Sequence, residues 1–162
     1  MDWPALRAQV DRLIEAAAPP AETLERVCGL LRDAVPHYDW VGFYLVWPDE
    51  PRTLRLGPFV GAPTDHQRIP FGRGICGQVA ERQESLVVPD VAAQDNYLAC
   101  SLQVRAEVVV PVFVDGRFAG QLDIDSHTAD PFAPEERPQL EELCARVAPV
   151  VAALLDASES VG

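Results

Sequence analysis

The chain has 162 residues, of which 48% are hydrophobic, 7% aromatic and 23% charged. This length suits one domain, the composition excludes a disordered chain, and no apolar run approaches the roughly twenty residues of a membrane span. A formal net charge of −12 disfavours nucleic acid and anionic membranes as partners. The first residues lack the basic and apolar regions of a signal peptide, so we expect a single cytoplasmic domain over residues 1–162.

The N-terminal part of the chain predicts two helices followed by a hairpin. Apolar residues recur at helical spacing on both sides of Pro19 and Pro20, which places the helices within residues 3–35. The aromatic and β-branched run Trp40–Trp47 predicts a strand. After a proline-containing turn, Thr53–Phe59 is expected to pair back on it.

The middle of the chain is punctuated by glycine and proline and holds only short regular pieces. We expect strands at Arg68–Phe71 and Leu86–Val88, with a short helix over Gly74–Arg82 between them. Residues 89–102 show no periodicity. A loop of this length inside a compact domain is usually functional.

The last third carries the strongest strand pattern and a final helix. Glu107–Val114 and Arg117–Asp125 flank a turn that contains Asp115 and Gly116. A broad apolar face predicts a C-terminal helix within residues 134–156. With the sheet and pocket loops within residues 39–126, these elements form an α+β domain.

Four cysteines lack the close spacing of a zinc knuckle or a CxxC motif, so we expect no metal and no cofactor. Cys28 and Cys144 fall in apolar helical stripes and are interpreted as core residues. Cys76 follows Arg73 near the start of the short helix, where it is either a small packed residue or a stabilised thiolate. Cys100, in the long polar loop, is the best candidate nucleophile.

The acidic residues in the last hairpin are unusual, because aspartate is depleted in strands. Asp123 and Asp125 are two residues apart and share a face. Glu107 joins them if a three-residue turn with a left-handed Gly116 pairs position 107 with position 123, but not if the turn has two residues. Each acid taken singly fits a solvated strand end, whereas a clustered acidic lining suits a ligand with an ammonium group.

Six segments carry a further signal: Trp40–Tyr44, Leu56–Phe59, Arg68–Gly77, Ala99–Cys100, Glu107–Pro111 and Leu122–Ser126. In this order they resemble the free methionine-R-sulfoxide reductases, which are single GAF domains. The Gly-Arg-Gly-Ile-Cys-Gly and Leu-Asp-Ile-Asp-Ser blocks are specific to that family among GAF domains. The resemblance implies a six-stranded antiparallel sheet with helices on one face and a loop-covered pocket on the other, in a homodimer packed through helices.

The resemblance also implies the reaction, which is reduction of free L-methionine-R-sulfoxide to methionine by a cysteine thiol. Cys100 would attack the sulfoxide sulfur, and Cys76 or an external thiol would convert the resulting sulfenic acid to a disulfide. The resemblance places five further side chains at the substrate, with Asp125 also as an acid: Glu107, Asp123, Asp125, Trp40 and Tyr44. Thioredoxin or a small thiol would be the reductant.

Two positions depart from the family pattern. His66 stands where a third cysteine, the usual resolving thiol, is expected, and Ser101 replaces an aspartate after the loop cysteine. A chain without that cysteine could instead be a GAF small-molecule or redox sensor that has no turnover. A purely structural dimer is the third alternative, against which only Cys100 and the pocket carboxylates argue.

Overall fold

The computed structural model describes residues 1–93 and 103–161, which form one six-stranded sheet and four α-helices. The strands are β1 (Trp40–Leu45), β2 (Thr53–Val60), β3 (Arg68–Pro70), β4 (Leu86–Val88), β5 (Ala106–Val114) and β6 (Arg117–Ser126). The helices are α1 (Trp3–Glu15), α2 (Pro20–Ala34), α3 (Gly74–Arg82) and α4 (Glu136–Val161), with a 3₁₀ turn at Val91–Ala93. The strand order is β3-β2-β1-β6-β5-β4, and every neighbouring pair is antiparallel.

The main hydrophobic core lies between one face of this sheet and three of the helices. Apolar residues of α1, α2 and α4 pack against alternate residues of the central strands, such as Phe43 on β1 and Ile124 on β6. Helix α3 lies on the opposite face, where Ile75 and Val79 join a second apolar cluster. The expected six-stranded antiparallel α+β fold is confirmed, and α3 is an additional helix on the pocket face.

The helix boundaries follow from local chemistry. The Asp2 side chain caps α1 by accepting a hydrogen bond of 3.1 Å from the Ala5 backbone N–H. Pro20 occupies the first position of α2, where a missing N–H costs nothing. Within the described residues, no helix is both long and apolar enough to cross a bilayer.

The turn between β5 and β6 differs from the three-residue turn considered above. Val114 pairs with Arg117, so only Asp115 and Gly116 form the turn. Both have positive φ, at 51° and 77°, as a two-residue hairpin turn with the right twist requires. The pairing of position 107 with position 123 is therefore wrong.

A bulge in the same hairpin compensates for the shorter turn. Phe113 pairs with Phe118, but Val112 pairs with Gly120, which leaves Ala119 as an extra residue on β6. Because side chains alternate along a strand, this one-residue shift reverses the facing of all later pairs. The acidic residues of both strands consequently return to the same face of the sheet.

Candidate active site

Three buried carboxyl groups lie together on the sheet face opposite the main core. Glu107 on β5 is the direct cross-strand partner of Asp125 on β6, and Asp123 lies two residues along β6. Their exposed fractions are 3%, 0% and 0% for Glu107, Asp123 and Asp125. Across the other edge of β6, Trp40 faces Asp125 and Gly42 faces Asp123. The solvated strand end is thus excluded, and the cluster expected from the sequence is present.

Asp123 is fully buried, and burial is the largest influence on the pKa of its carboxyl group. Neither of its carboxylate oxygens receives a hydrogen bond of normal geometry from a described residue. Burial raises the pKa of Asp123, and the neighbouring Glu107, Cys76 and Asp125 offset only part of this shift. The buried cluster therefore favours a protonated carboxyl group or a bound cation.

Cys76 reaches this cluster from α3. It is the third residue of that helix, and its thiol sulfur lies 3.7 Å from Glu107 Oε2. The side chain is buried, whereas the preceding Arg73 is exposed. Of the two interpretations that the sequence left open, burial within the second apolar cluster agrees with packing, although the thiol also contacts the Glu107 carboxyl group.

Two contacts hold α3 against the sheet so that Cys76 meets the acids. The buried Gln121 on β6 donates a hydrogen bond of 3.0 Å from Nε2 to the Cys76 carbonyl oxygen. A Cβ at Gly77 would lie 2.8 Å from the Pro70 carbonyl oxygen, so a side chain there would push the helix away. Sequence reasoning missed Gln121, although its spacing of two from Asp123 was a usable signal.

Aromatic side chains form the wall beside the acids. The Trp40 ring stacks between Phe59 and Tyr44, with ring centroids 5.4 and 6.4 Å apart, and its Nε1 donates to the Ala62 carbonyl oxygen at 3.0 Å. A Cβ at Gly42 would lie 2.4 Å from the indole ring, so only glycine lets the ring lie across this part of β1. Trp40 and Tyr44 thus occupy the same face as the acids.

Position 66 is also next to this wall. The Tyr44 hydroxyl donates a hydrogen bond of 2.7 Å to the His66 carbonyl oxygen. This contact places the segment after β2 beside the aromatic residues, at the position where the resemblance expects a cysteine.

A cavity of about 120 Å³ opens beside Trp40 and Asp125. Its lining residues come from α2, from one end of the sheet and from the adjoining loops: Arg32, Asp39, Trp40, Ala62, Gln103, Val104, Asp125 and His127. Arg32 Nε donates a hydrogen bond of 3.0 Å to the Asp39 carbonyl oxygen, and Asp39 Oδ2 accepts one of 2.7 Å from the His127 backbone N–H. Helical periodicity puts Arg32 on the solvent side of α2, which is why sequence reasoning missed it.

The four cysteines separate as the sequence suggested, as far as the structure describes them. Cys28 and Cys144 are buried in the main core, and burial raises the pKa of both thiols far above their usual value. Their assignment to core packing is confirmed. Cys100, the predicted nucleophile, and the neighbouring Ser101 lie outside the described residues.

The GAF domain family model matches residues 13–151 of this chain. The chain belongs to the GAF domain family. Free methionine-R-sulfoxide reductase of Escherichia coli is 37% identical over 130 residues, which make up 80% of this chain and 76% of that protein.

Solved structures give the same grouping. One is free methionine-R-sulfoxide reductase from Neisseria meningitidis in complex with its substrate, with a TM-score of 0.82 and 36% identity over 96% of this chain and 89% of that one. Another is the type II enzyme from Thermoplasma acidophilum, with a TM-score of 0.77 and 34% identity over 82% and 92% of the two chains. Within the GAF family, the chain therefore belongs to the free methionine-R-sulfoxide reductases.

Proposed function

We propose that this protein reduces free L-methionine-R-sulfoxide to methionine. The observation that carries the proposal is the buried cluster of Glu107, Asp123 and Asp125 beside the thiol of Cys76 and the ring of Trp40. Membership of the reductase family, which includes a protein solved in complex with its substrate, supports the same reaction. A sensor without turnover is the less favoured alternative, because relatives in Escherichia coli and Saccharomyces cerevisiae are free methionine-R-sulfoxide reductases.

The reaction needs a nucleophilic thiolate and an acid. We propose that Cys100 attacks the sulfoxide sulfur while Asp125 protonates the departing oxygen. The bond formed between the two sulfurs then breaks as the protonated oxygen moves from the substrate sulfur to the cysteine sulfur, so the products are methionine and a Cys100 sulfenic acid. Burial raises the pKa of the neighbouring Asp123, which supports the presence of a protonated carboxyl group in this part of the pocket.

The carboxyl cluster also explains a preference for the free amino acid. A free sulfoxide carries an ammonium group that the acids at Glu107, Asp123 and Asp125 bind, and a residue inside a polypeptide does not. Trp40 offers an apolar surface to the methyl-sulfur end of the substrate. We assign the substrate carboxylate to Arg32, which lines the same cavity as Trp40 and Asp125.

The oxidised nucleophile must then be resolved. We propose that the Cys76 thiol attacks the Cys100 sulfenic acid, which forms a disulfide and releases water. Cys76 is assigned this step because His66 cannot supply a sulfur. Thioredoxin or a small thiol then reduces the disulfide and restores both thiols. A homodimer packed through helices and a cytoplasmic location stay predictions.

The turnover of each sulfoxide diastereomer, measured separately, tests the proposed function. The purified protein receives a mixture of L-methionine-R- and S-sulfoxides with dithiothreitol, and chiral chromatography follows each isomer. We expect consumption of the R isomer alone, with an acetylated, peptide-like sulfoxide left unchanged. If neither isomer is consumed, or if the acetylated sulfoxide is reduced as fast as the free R isomer, the proposal is contradicted.

A further inference from the structure

Three potential metal ligands meet in the pocket from different elements. The Cys76 sulfur and one carboxylate oxygen each from Glu107 and Asp123 all lie within 4.8 Å of one another. All three residues are buried. Zinc binds sulfur at about 2.3 Å and carboxylate oxygen at about 2.1 Å, so tetrahedral ligand atoms are roughly 3.5 Å apart. A side-chain shift of about 1 Å would therefore complete three zinc bonds.

A separate observation on Asp123 also points to a cation. The side chain is fully buried, and its two oxygens receive no hydrogen bond of normal geometry from the described residues. A buried carboxylate in this state carries a desolvation cost that an attached cation removes. The substrate's ammonium group is one such cation, and a metal ion is another.

We propose that the reduced pocket also binds a thiophilic divalent cation of the zinc class through Cys76, Glu107 and Asp123. The sulfur ligand favours zinc over magnesium or calcium, which prefer oxygen ligands alone. Three protein ligands leave one tetrahedral position for solvent. Binding breaks the Cys76 S–H bond, forms a zinc–sulfur bond and releases the proton to solvent, and no electron is transferred.

This site differs in kind from a structural zinc centre, which the spacing of the cysteines disfavours. It contains one thiol and two of the carboxyl groups assigned to the substrate's ammonium group. Zinc and substrate therefore exclude one another. The metal site stands on the geometry alone, whereas this competition rests on the proposed reductase function.

Zinc titration of the reduced, metal-free protein tests the site without any sulfoxide. Calorimetry should show one zinc ion per chain and a binding heat that changes with the buffer, because a proton is released. Cys76→Ser and Asp123→Asn each remove a direct zinc ligand. The zinc affinity should therefore fall by more than the roughly 10- to 100-fold that loss of an outer-shell partner costs. Cys28→Ser, which alters a buried thiol in the main core, is the matched control and should bind zinc as the unaltered protein does.

Cobalt gives a readout that does not depend on how well a variant folds. Cobalt bound to the unaltered protein should show a thiolate-to-metal charge-transfer band, and zinc should displace it. Absence of zinc uptake, uptake unchanged by Cys76→Ser, or cobalt binding without that band would overturn the site.

Steady-state kinetics separate the competition from the metal site. If the protein turns over the sulfoxide, zinc should raise the apparent KM and leave kcat unchanged. A lower kcat at unchanged KM would overturn the competition. If zinc binds as described but no sulfoxide is reduced, the reductase proposal fails and the metal site stands.

Discussion

The thiol of Cys76 on α3 contacts the carboxyl group of Glu107 on β5, with 3.7 Å between Sγ and Oε2. This contact sets Cys76 apart from Cys28 and Cys144, which are enclosed by apolar side chains of the main core. A sulfur among acids is next to the groups assigned to the substrate, whereas a sulfur in the core has no role beyond packing. The position of each thiol therefore predicts which substitutions affect turnover.

Replacement of Cys100 by serine should abolish reduction of methionine-R-sulfoxide, because a hydroxyl group cannot form the sulfenic acid. Cys28→Ser and Cys144→Ser are the controls, since both thiols are buried in the main core. They should retain turnover if their circular dichroism shows a folded protein. An active Cys100→Ser protein, assayed with dithiothreitol as reductant, would refute the assignment of the nucleophile.

Replacement of Asp125 by asparagine keeps the shape of a fully buried side chain and removes its charge and its acid function. Loss of a charged hydrogen-bond partner should cost about 2 kcal/mol of transition-state binding, which is tens-fold in kcat/KM. Asp115→Asn, in the exposed turn of the same hairpin, is the matched control and should leave kcat/KM unchanged. Equal kinetics of the two variants would show that the carboxyl cluster is not the substrate site.

Replacement of Arg32 by methionine should weaken binding of the free sulfoxide, because its guanidinium is assigned to the substrate carboxylate. The side chain is exposed, so a loss of at most about 1 kcal/mol, or roughly fivefold in KM, is expected. Methioninol sulfoxide, which has no carboxylate, should be reduced equally well with and without the change. Arg26→Met, elsewhere on α2, is the control, and a similar KM in all three proteins would remove Arg32 from the site.

The burial of Asp123 predicts how stability depends on pH. Its pKa in the folded protein is raised, chiefly by desolvation, above the unfolded value of about 3.9. Stability is therefore full below that unfolded pKa and falls as pH rises toward the folded pKa, because the unfolded chain releases the proton first. Asp123→Asn should remove this part of the fall.

Urea unfolding at several pH values from acid to neutral measures the effect. The unfolding free energy of Asp123→Asn relative to the unaltered protein should increase with pH, whatever its absolute value in acid. Asp115→Asn, with its exposed side chain, should show no such trend. A constant difference for Asp123→Asn across the whole range would mean that the pKa of this carboxyl group is the same in the folded and unfolded states.

Local features of the fold were predictable because they depend on neighbours in sequence. A short helix was predicted over Gly74–Arg82, and α3 has the same bounds in the structure. Strand β4 likewise matches its predicted range, Leu86–Val88. Helix α4 begins within its predicted range and extends beyond it, to Val161.

The register of the acids could not be predicted, because two non-local features decide it together. A two-residue turn alone would place Glu107 and Asp125 on opposite faces, and only the extra residue at Ala119 brings them together. That bulge allows close packing against β1, where a Cβ at Gly120 would lie 2.5 Å from the Tyr44 carbonyl oxygen. Contacts between distant segments therefore set the geometry of the site.

The contact between Cys76 and Glu107 could not be predicted from the sequence either, because it also depends on contacts between distant segments. It depends on how α3 lies on the sheet, which Gln121 and the close approach at Gly77 determine. Strand alternation places Gln121 on the face of Asp123, but the contacts with α3 cannot be derived from a pattern in the chain. The resemblance to the reductases implied that Cys76 and Glu107 share a pocket, but it supplied no distances.

A single-turnover reaction tests the central claim most directly. The reduced protein receives one equivalent of L-methionine-R-sulfoxide without reductant, and mass spectrometry then measures the methionine formed and maps the cysteines. The account predicts one methionine per chain and a disulfide between Cys76 and Cys100, with Cys28 and Cys144 still reduced. Absence of methionine would contradict the proposed function, and a lasting Cys100 sulfenic acid with Cys76 still open to alkylation would contradict its resolution by Cys76.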